Sequence, residues 1–272
     1  MRVHHLNCGT MHPFGGKLLD GRPGILRRGT MICHCLLIET NDGLVLVDTG
    51  IGLDDIANPG GSLTREFRLV ANPVLKEEET AARQVVSLGY RIEDVRHIVP
   101  THLDLDHAGG FRDFPHAKVH IYAEELRNAT AQATARDRSR FRKAQWEHAD
   151  FESYDATGDE WFGFDAVRNL KGLPEEILLV PLRGHTLGHA GVAVDTGEKW
   201  LLHCGDGYFS HSEMDWRNPH CPPGLARFQK IVETERASRV HNQQRLRELV
   251  RDHGDRVEVF SAHDPAELAR YR

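Results

Sequence analysis

The stretch that decides the fold is Thr101-His102-Leu103-Asp104-Leu105-Asp106-His107-Ala108-Gly109-Gly110. It places two imidazoles and two carboxylates within a span of six residues. It follows Arg96-His97-Ile98-Val99-Pro100, a run typical of a buried strand that leads into a polar loop. Imidazole nitrogens and carboxylate oxygens are the ligands that zinc and related divalent ions accept. The pattern therefore predicts a metal site at a strand end.

The spacing within this loop suggests how its side chains divide. His102 and Asp104 would face one ion, and Asp106 and His107 a second. The alternative is a polar turn that caps a helix beginning near Ala108. A cap accounts for one aspartate but leaves the other ligand-type side chains unexplained, so the metal interpretation is favoured.

Length and composition narrow the class of protein. The 272 residues show no linker or internal repeat, and we expect a single domain over residues 1–272. The net charge is −6 with Lys and Arg scattered, so no basic face is expected for a nucleic-acid backbone. No segment approaches the roughly 18 apolar residues needed to span a membrane. We expect a cytoplasmic protein that acts on a small molecule, with neither nucleic acid nor membrane as a partner.

The cysteines indicate reduced thiols. They are odd in number and lie mostly in apolar, strand-like sequence, as a cytoplasmic protein would have them: Cys8, Cys33, Cys35, Cys204 and Cys221. The triplet Cys33-His34-Cys35 raises the question of a metal site. Alternation along a strand would place the two cysteines on one face and His34 on the other, which favours ordinary packing.

Strands and helices follow an order that predicts layered sheets. Met31 to Thr40 and Leu44 to Asp48 are apolar runs joined by Asn41-Asp42-Gly43, a combination typical of a hairpin. A strand-rich half, then helices, then a second strand-rich half predict two sheets packed together with helices outside. Helical patterns are predicted from Lys76 to Leu88, from Glu124 to Ala149 and from Gln229 to Asp252.

The loop resembles the His-x-His-x-Asp-His signature of the metallo-β-lactamase-fold hydrolases, with Asp104 where that family has its second His. Other segments are similar in the family's order: Gly43 to Gly50, Gly184 to His189, Gly205-Asp206 and His263-Asp264. The resemblance implies an α/β protein with the αββα sandwich, two mixed β-sheets packed face to face with helices outside.

The resemblance also implies the metal ligands. The first ion would be held by His102, Asp104 and His185, the second by Asp106, His107 and His263, and Asp206 would bridge them. Asp48 would support the metal loop by hydrogen bonding. His189 is interpreted as a packing or supporting residue, because a ligand spacing of four from His185 needs a helix that Gly184 and Gly188 disfavour.

Two divalent ions roughly 3.5–4 Å apart would share a water and supply a bridging hydroxide as nucleophile. Zinc is the expected metal, with manganese or iron as alternatives because Asp104 offers a harder ligand than His. Asp106 is expected to carry a proton to the leaving group. The Tyr208 hydroxyl is expected to contact the substrate oxyanion, a core tyrosine being the alternative.

The implied activity is hydrolysis of a carboxylic ester, with a lactone favoured because the chain resembles the lactonase-like branch of the family. A thioesterase like glyoxalase II and a phosphoesterase are the alternatives, since the same metals polarise those groups too. A different class is an iron-dependent persulfide oxygenase on the same fold, which would need one metal ion per chain.

Aromatic residues are concentrated between Phe141 and Phe164, within a predicted insertion at about residues 123–165. Seven aromatic side chains fall in these 24 residues. Two interpretations stay open: an apolar lid beside the metals, or a contact in a homodimer.

Overall fold

The computed structural model describes residues 1–155 and 158–272, and two residues of the aromatic-rich segment, 156 and 157, lie outside the described ranges. The first sheet contains β1 (Arg2–Met11), β2 (Met31–Thr40), β3 (Gly43–Val47), β4 (Val95–Val99), β5 (Lys118–Tyr122) and β6 (Asp150–Tyr154). The second contains β7 (Asp159–Trp161), β8 (Phe164–Asn169), β9 (Ile177–Pro181), β10 (Ala190–Asp195), β11 (Trp200–His203) and β12 (Val257–Phe260). The strand orders are β1-β2-β3-β4-β5-β6 and β12-β11-β10-β9-β8-β7.

The helices of the described ranges are mostly short. They are α1 (Gly16–Asp20), α2 (Leu53–Ala57), α3 (Pro59–Ser62), α4 (Arg65–Val70), α5 (Ala81–Ser87), α6 (Ala123–Ala131), α7 (Ala135–Arg140), α8 (Lys143–Trp146), α9 (Pro223–Val232), α10 (Arg236–His253) and α11 (Pro265–Leu268). Single 3₁₀ turns lie at Glu77–Glu79, Ile92–Asp94, Gly109–Asp113, His211–Met214 and Ala269–Tyr271. None of the helices described is long and apolar enough to cross a membrane.

The two sheets pack face to face over a shared core. Alternate residues of β2, Leu36 and Ile38, point to this interface and meet Leu179 of β9 and Val192 of β10. Such alternation follows from the two-residue period of a strand, which sends successive side chains to opposite faces. The interface is therefore the central layer of the molecule.

The outer face of each sheet is covered by helices. Leu37, one residue out of phase with Leu36, packs in a second cluster with Val85 of α5. Leu202 of β11 packs with Leu246 of α10 on the other side of the sandwich. The predicted αββα arrangement is confirmed, with mixed sheets inside and helices outside.

The predicted hairpin is present between β2 and β3. Thr40 pairs with Gly43, and the strands run antiparallel back to the pair of Leu36 and Val47. Gly43 has φ 129°, a conformation that side chains rarely adopt. The hairpin places Asp48 immediately after a fully buried strand.

Parallel neighbours bring the polar loops to one edge. β3 and β4 are parallel, so the residues that follow them, Asp48 and Thr101, leave the first sheet at the same end. β11 and β12 are also parallel, and Asp206 and His263 follow them at the matching edge of the second sheet. Residues far apart in the chain therefore meet where the two sheet edges face each other.

Two segments predicted as single helices are divided into shorter helices in the structure. The stretch predicted as helical from Glu124 to Ala149 is α6, α7 and α8, and α6 ends at Gln132 with φ 44°. The stretch from Gln229 to Asp252 breaks between α9 and α10, because the backbone N–H groups of Thr234 and Glu235 donate to Gly184 O instead of continuing a helix. Helical periodicity alone does not show this competition.

Most rings of the aromatic segment lie in the core. They are divided among the three core clusters: Phe141 and Trp146 beside β4 and β5, Tyr154 between the sheets, and Trp161 and Phe164 near α10. All five are buried. The described part of the segment therefore contributes strands and short helices whose rings complete the core, and its expected role as a lid or a dimer contact stays a prediction.

Tyr208 is likewise a core residue. Its ring is fully buried in the cluster near α10, and its hydroxyl donates to Glu267 Oε1 at 2.8 Å. Glu267 Oε2 accepts from the backbone N–H and the hydroxyl of Ser261 at 2.7 and 2.9 Å. The predicted contact with a substrate oxyanion is wrong, since the hydroxyl is bonded inside the core.

We predict that Tyr208→Phe lowers the free energy of unfolding by about 1 kcal/mol, because it removes one buried hydrogen bond and keeps the ring packing. Urea denaturation of the metal-free protein measures this change. Tyr271→Phe is the matched control, since that hydroxyl bonds Glu258 in a less buried position and should matter less. Unchanged stability in Tyr208→Phe would contradict the structural role.

Candidate metal centre

One group of donor atoms gathers side chains from three loops. The atoms are Nε2 of His102 and of His185, together with Oδ2 of Asp104 and of Asp206. His185 Nε2 lies 3.0 Å from the Asp104 oxygen and 3.2 Å from the Asp206 oxygen. His102 Nε2 lies 3.4 and 3.9 Å from the same two oxygens. We call these four residues the first group.

A second group shares Asp206 but uses its other oxygen. Oδ1 of Asp206 lies 3.3 Å from His107 Nε2 and 3.0 Å from His263 Nε2. The Asp106 carboxylate stands beside this group, with Oδ2 3.7 Å from His263 Nε2. The structure thus brings together all seven side chains that the resemblance implied, divided as the sequence suggested.

The spacing of these atoms fits divalent metal ions. Four ligands at 2.0–2.1 Å from one ion in a tetrahedron are roughly 3.3 Å apart, and the separations in both groups scatter around that value. Buried atoms also lack other partners: within the described ranges, His102 Nε2, His107 Nε2 and Asp206 Oδ1 have no hydrogen-bond partner. A buried polar atom without a partner is costly, and a bound cation removes that cost.

Three of the four imidazoles are oriented by the nitrogen that faces away from the groups. His107 Nδ1 donates to Asp48 Oδ2 at 2.8 Å, and His263 Nδ1 donates to the carbonyl of Ile32 at 2.7 Å. His102 Nδ1 lies 2.9 Å from Thr101 Oγ1. These bonds place the proton on Nδ1 and leave the Nε2 lone pair free, as a metal ligand requires.

Asp48 supports the loop as expected. Besides His107 it accepts from the backbone N–H of Thr101 at 2.7 Å and from the Thr101 hydroxyl at 2.9 Å. Burial by itself would raise the pKa of this carboxyl group, but the adjacent His107 lowers the pKa to about 2. Asp48 is therefore a fixed negative charge behind the metal loop.

His189 engages the backbone of Asp206 through a hydrogen bond. Its Nδ1 donates to the carbonyl of Leu182 at 2.9 Å, and its Nε2 accepts the backbone N–H of Asp206 at 3.0 Å. Burial holds the pKa of His189 well below its ordinary value, so the ring stays neutral and can accept this bond. The supporting role proposed for it agrees with this geometry.

Sequence reasoning missed Glu125. This residue connects the loop that carries His102 and Asp104 to the loop that carries His185. Its carboxylate accepts the backbone N–H of Leu103 at 3.0 Å and that of Gly188 at 3.1 Å. A Cβ at Gly188 would lie 2.2 Å from the backbone nitrogen of Glu125, so only glycine fits. Nothing in the local sequence around Glu125 distinguishes it from a solvated helix residue.

Arg140, at the end of α7, is the second residue that the sequence did not reveal. Its Nε lies 2.7 Å from Asp104 Oδ1, and its Nη2 lies 2.9 Å from Asp104 Oδ2 and 2.9 Å from His185 Nε2. Nη1 donates to the carbonyl of His185 at 3.0 Å. The guanidinium is almost wholly buried, so the ion pair with Asp104 is shielded from solvent. The arginines of an Arg-rich helical stretch are usually solvated, and only the fold shows that Arg140 is buried.

Phe209 occupies the position beside the groups that Tyr208 was expected to fill. Its ring stacks on His263 with centroids 5.3 Å apart, and it contacts Phe228 of α9 edge to face at 5.5 Å. Phe228 is partly exposed. The centre therefore has an apolar wall on the His263 side, with no hydroxyl from residues 208 and 209.

Comparison with known proteins is consistent with this geometry. A family model described as the metallo-beta-lactamase superfamily matches residues 28–240. A probable metallo-hydrolase of Mycobacterium tuberculosis is 44% identical over 266 residues, which cover 97% of this chain and 81% of that protein.

Two solved structures are similar over nearly the whole chain. An N-acyl homoserine lactone hydrolase with the product N-hexanoyl-L-homoserine at its catalytic metal center has a TM-score of 0.72 at 18% identity, and the match covers 99% of this chain and 96% of that one. A dizinc quorum-quenching lactonase in complex with a product has a TM-score of 0.61 at 17% identity, with 97% and 87% covered. At such identities these likenesses show a common fold. With the family match and the close relative, the chain belongs to the metallo-beta-lactamase superfamily and is a metal-dependent hydrolase.

Proposed function

We propose that this chain binds two divalent metal ions and hydrolyses a carboxylic ester, with a lactone as the favoured substrate class. The observation that carries the proposal is Asp206, whose two oxygens face two separate groups of ligand atoms. A single ion would leave one group without a cation. Two ions, one in each group, engage the unpartnered atoms His102 Nε2, His107 Nε2 and Asp206 Oδ1.

The residues divide the work around these ions. When bound, a pair of divalent ions acidifies a water molecule and polarises the carbonyl oxygen under attack. Asp206 holds the two positions together, and its backbone is fixed by His189. Asp104 forms an ion pair with Arg140. Asp106 is partly exposed beside His263, and it is the carboxylate that carries a proton to the leaving oxygen.

Arg140 changes the charge expected of the centre. An aspartate in place of a neutral histidine adds one negative charge, which would make a shared water less acidic. The guanidinium of Arg140 contacts both oxygens of Asp104, with nitrogen–oxygen distances of 2.7 and 2.9 Å, and its positive charge offsets the added negative charge. Asp104 and Arg140 together therefore substitute for one neutral histidine, with zinc the proposed metal and manganese or iron the alternatives.

The apolar wall supports an ester with a hydrocarbon portion. Phe209, which is itself buried, connects His263 to the partly exposed ring of Phe228, and we expect an acyl group bound at the metals to lie against Phe228. One structural neighbour is an N-acyl homoserine lactone hydrolase and the other a dizinc quorum-quenching lactonase, and this likeness supports a cyclic ester with an acyl chain as the favoured substrate. Thioesters and phosphoesters are the alternatives.

We predict that purified protein binds two metal ions per chain and that Asp206→Asn, which keeps the shape and removes the charge, loses at least one ion and about 100-fold or more in kcat/KM. Metal content and rates on a lactone, a thioester and a phosphodiester measure this. Asp42→Asn, in an exposed turn, is the control. One iron per chain with oxygen uptake would instead indicate the persulfide oxygenase.

The pairing of Asp104 and Arg140 gives a prediction of its own. Asp104→His leaves Arg140 as an uncompensated buried cation beside the first ion, so we expect that ion to bind roughly tenfold or more weakly. Adding Arg140→Gln to this variant should restore most of the affinity. Competition with a chelator measures both constants. If Asp104→His binds metal as tightly as the wild type while Arg140 is present, the compensating role is excluded.

The apolar wall predicts substrate preference. Phe228→Ala should raise KM for long-chain acyl lactones several-fold more than for short-chain ones, because the lost ring contacts the acyl portion rather than the reacting carbonyl. Steady-state rates on a chain-length series measure the difference. Phe162→Ala, a partly buried ring on the far cluster, is the control. Equal changes at all chain lengths would contradict an acyl-binding wall.

A further inference from the structure

Cys33 lies beside the second group of ligand atoms. Its sulfur, a carboxylate oxygen of Asp106 and a ring nitrogen of His263 are all within 4.8 Å of one another. Cys33 is buried, with 2% of its surface exposed. Strand alternation suggested that this cysteine only packs in the core, and it does share a face with Cys35, but the start of β2 lies at the edge where the ligands converge.

Hydrogen bonds on both sides of Cys33 fix its position relative to His263. The carbonyl of Ile32 accepts from His263 Nδ1 at 2.7 Å, and the backbone N–H of His34 donates to the carbonyl of Ala262 at 2.8 Å. The residues immediately before and after Cys33 are therefore tied to the loop that carries His263. The backbone of Cys33 cannot move away from that loop without breaking one of these bonds.

The neighbouring strand makes room for the sulfur. The pairing of β1 with β2 is irregular between Asn7 and Thr10, and Gly9 lies in that irregular stretch with φ 153°. A Cβ at Gly9 would lie 3.2 Å from Cys33 Sγ, which is tighter than ordinary packing. Glycine and the irregular pairing thus leave the thiol unobstructed on this side.

The distances suit a common ion. A sulfur at about 2.3 Å and a nitrogen or oxygen at about 2.0–2.2 Å from one ion lie about 3.6 Å apart at a tetrahedral angle and about 4.5 Å apart when they are on opposite sides of the ion. From a separation of up to 4.8 Å, the Cys33 sulfur would have to approach by a few tenths of an ångström in the second arrangement and by up to about 1.2 Å in the first. Thiolate, imidazole and carboxylate are all established zinc ligands.

We propose that Cys33 Sγ is a ligand of the second metal ion, together with Asp106 and His263. The thiol proton is released as the metal–sulfur bond forms, as for other metal-binding cysteines. Each position then has one carboxylate besides Asp206, Asp104 at the first and Asp106 at the second, and only the second has a soft thiolate, which favours zinc. This inference rests on the proposed binding of two ions.

Cobalt substitution tests the proposal by spectroscopy. Metal-free protein loaded with two equivalents of Co²⁺ should show a sulfur-to-cobalt charge-transfer band in the near ultraviolet. Cys33→Ser should lose the band while retaining a native circular dichroism spectrum, and Cys33→Ala should do the same if serine disturbs folding. Cys35→Ser, equally buried on the same face of β2, is the matched control and should keep the band.

Zinc binding provides a second readout. Cys33→Ser should weaken the second zinc roughly tenfold or more, the scale of effects seen for residues that support metal ligands, and leave the first zinc unchanged. Two cobalt ions without the band, or a band that survives Cys33→Ser, would overturn the role of Cys33 and leave the proposed function standing. A chain that binds no second ion would overturn both.

Discussion

The constraint on which the centre depends is the burial of carboxylates and imidazoles, because three of their facing atoms, His102 Nε2, His107 Nε2 and Asp206 Oδ1, have no hydrogen-bond partner in the described ranges. Asp206 is the clearest case, because its carboxylate is nearly inaccessible and each oxygen faces a different set of imidazole nitrogens. Such an arrangement is unfavourable unless cations occupy the spaces between the donor atoms. The fold brings these donor atoms together where the ends of parallel strands from the two sheets face each other.

The supporting hydrogen bonds convert this cluster into a fixed array of ligands. Asp48, Ile32 and Thr101 each engage the outer nitrogen of one imidazole, and His189 holds the backbone of Asp206. Ile32 lies in β2, and the other three partners are buried next to strand ends, so these bonds restrain the ligand side chains before any metal binds. This preorganisation lets the metals be held in a defined geometry at little conformational cost.

The two halves of the centre have acquired different surroundings. At the first group, the buried guanidinium of Arg140 offsets the negative charge of Asp104. The aspartate that departs from the family signature is therefore paired with an arginine 36 positions later in the chain. At the second, Phe209 covers His263 on one side, and Cys33 approaches from β2. The two groups therefore have different surroundings. The ion pair of Asp104 and Arg140 belongs to the first group, and the apolar wall lies beside the second.

The layered order of strands and helices and the hairpin before Asp48 follow from local periods and turn residues in the sequence. Ligand types at short spacing indicated His102, Asp104, Asp106 and His107, and the resemblance to the family implied His185, Asp206 and His263. Only the tertiary structure decided that Tyr208 faces the core while Phe209 faces the centre, and that the aromatic segment completes three core clusters. It also selected Arg140 from an Arg-rich stretch and brought Cys33 beside His263. The physical reason is that these outcomes depend on contacts between residues from 36 to more than 200 positions apart, such as the bond from His263 to Ile32, for which local patterns contain no signal.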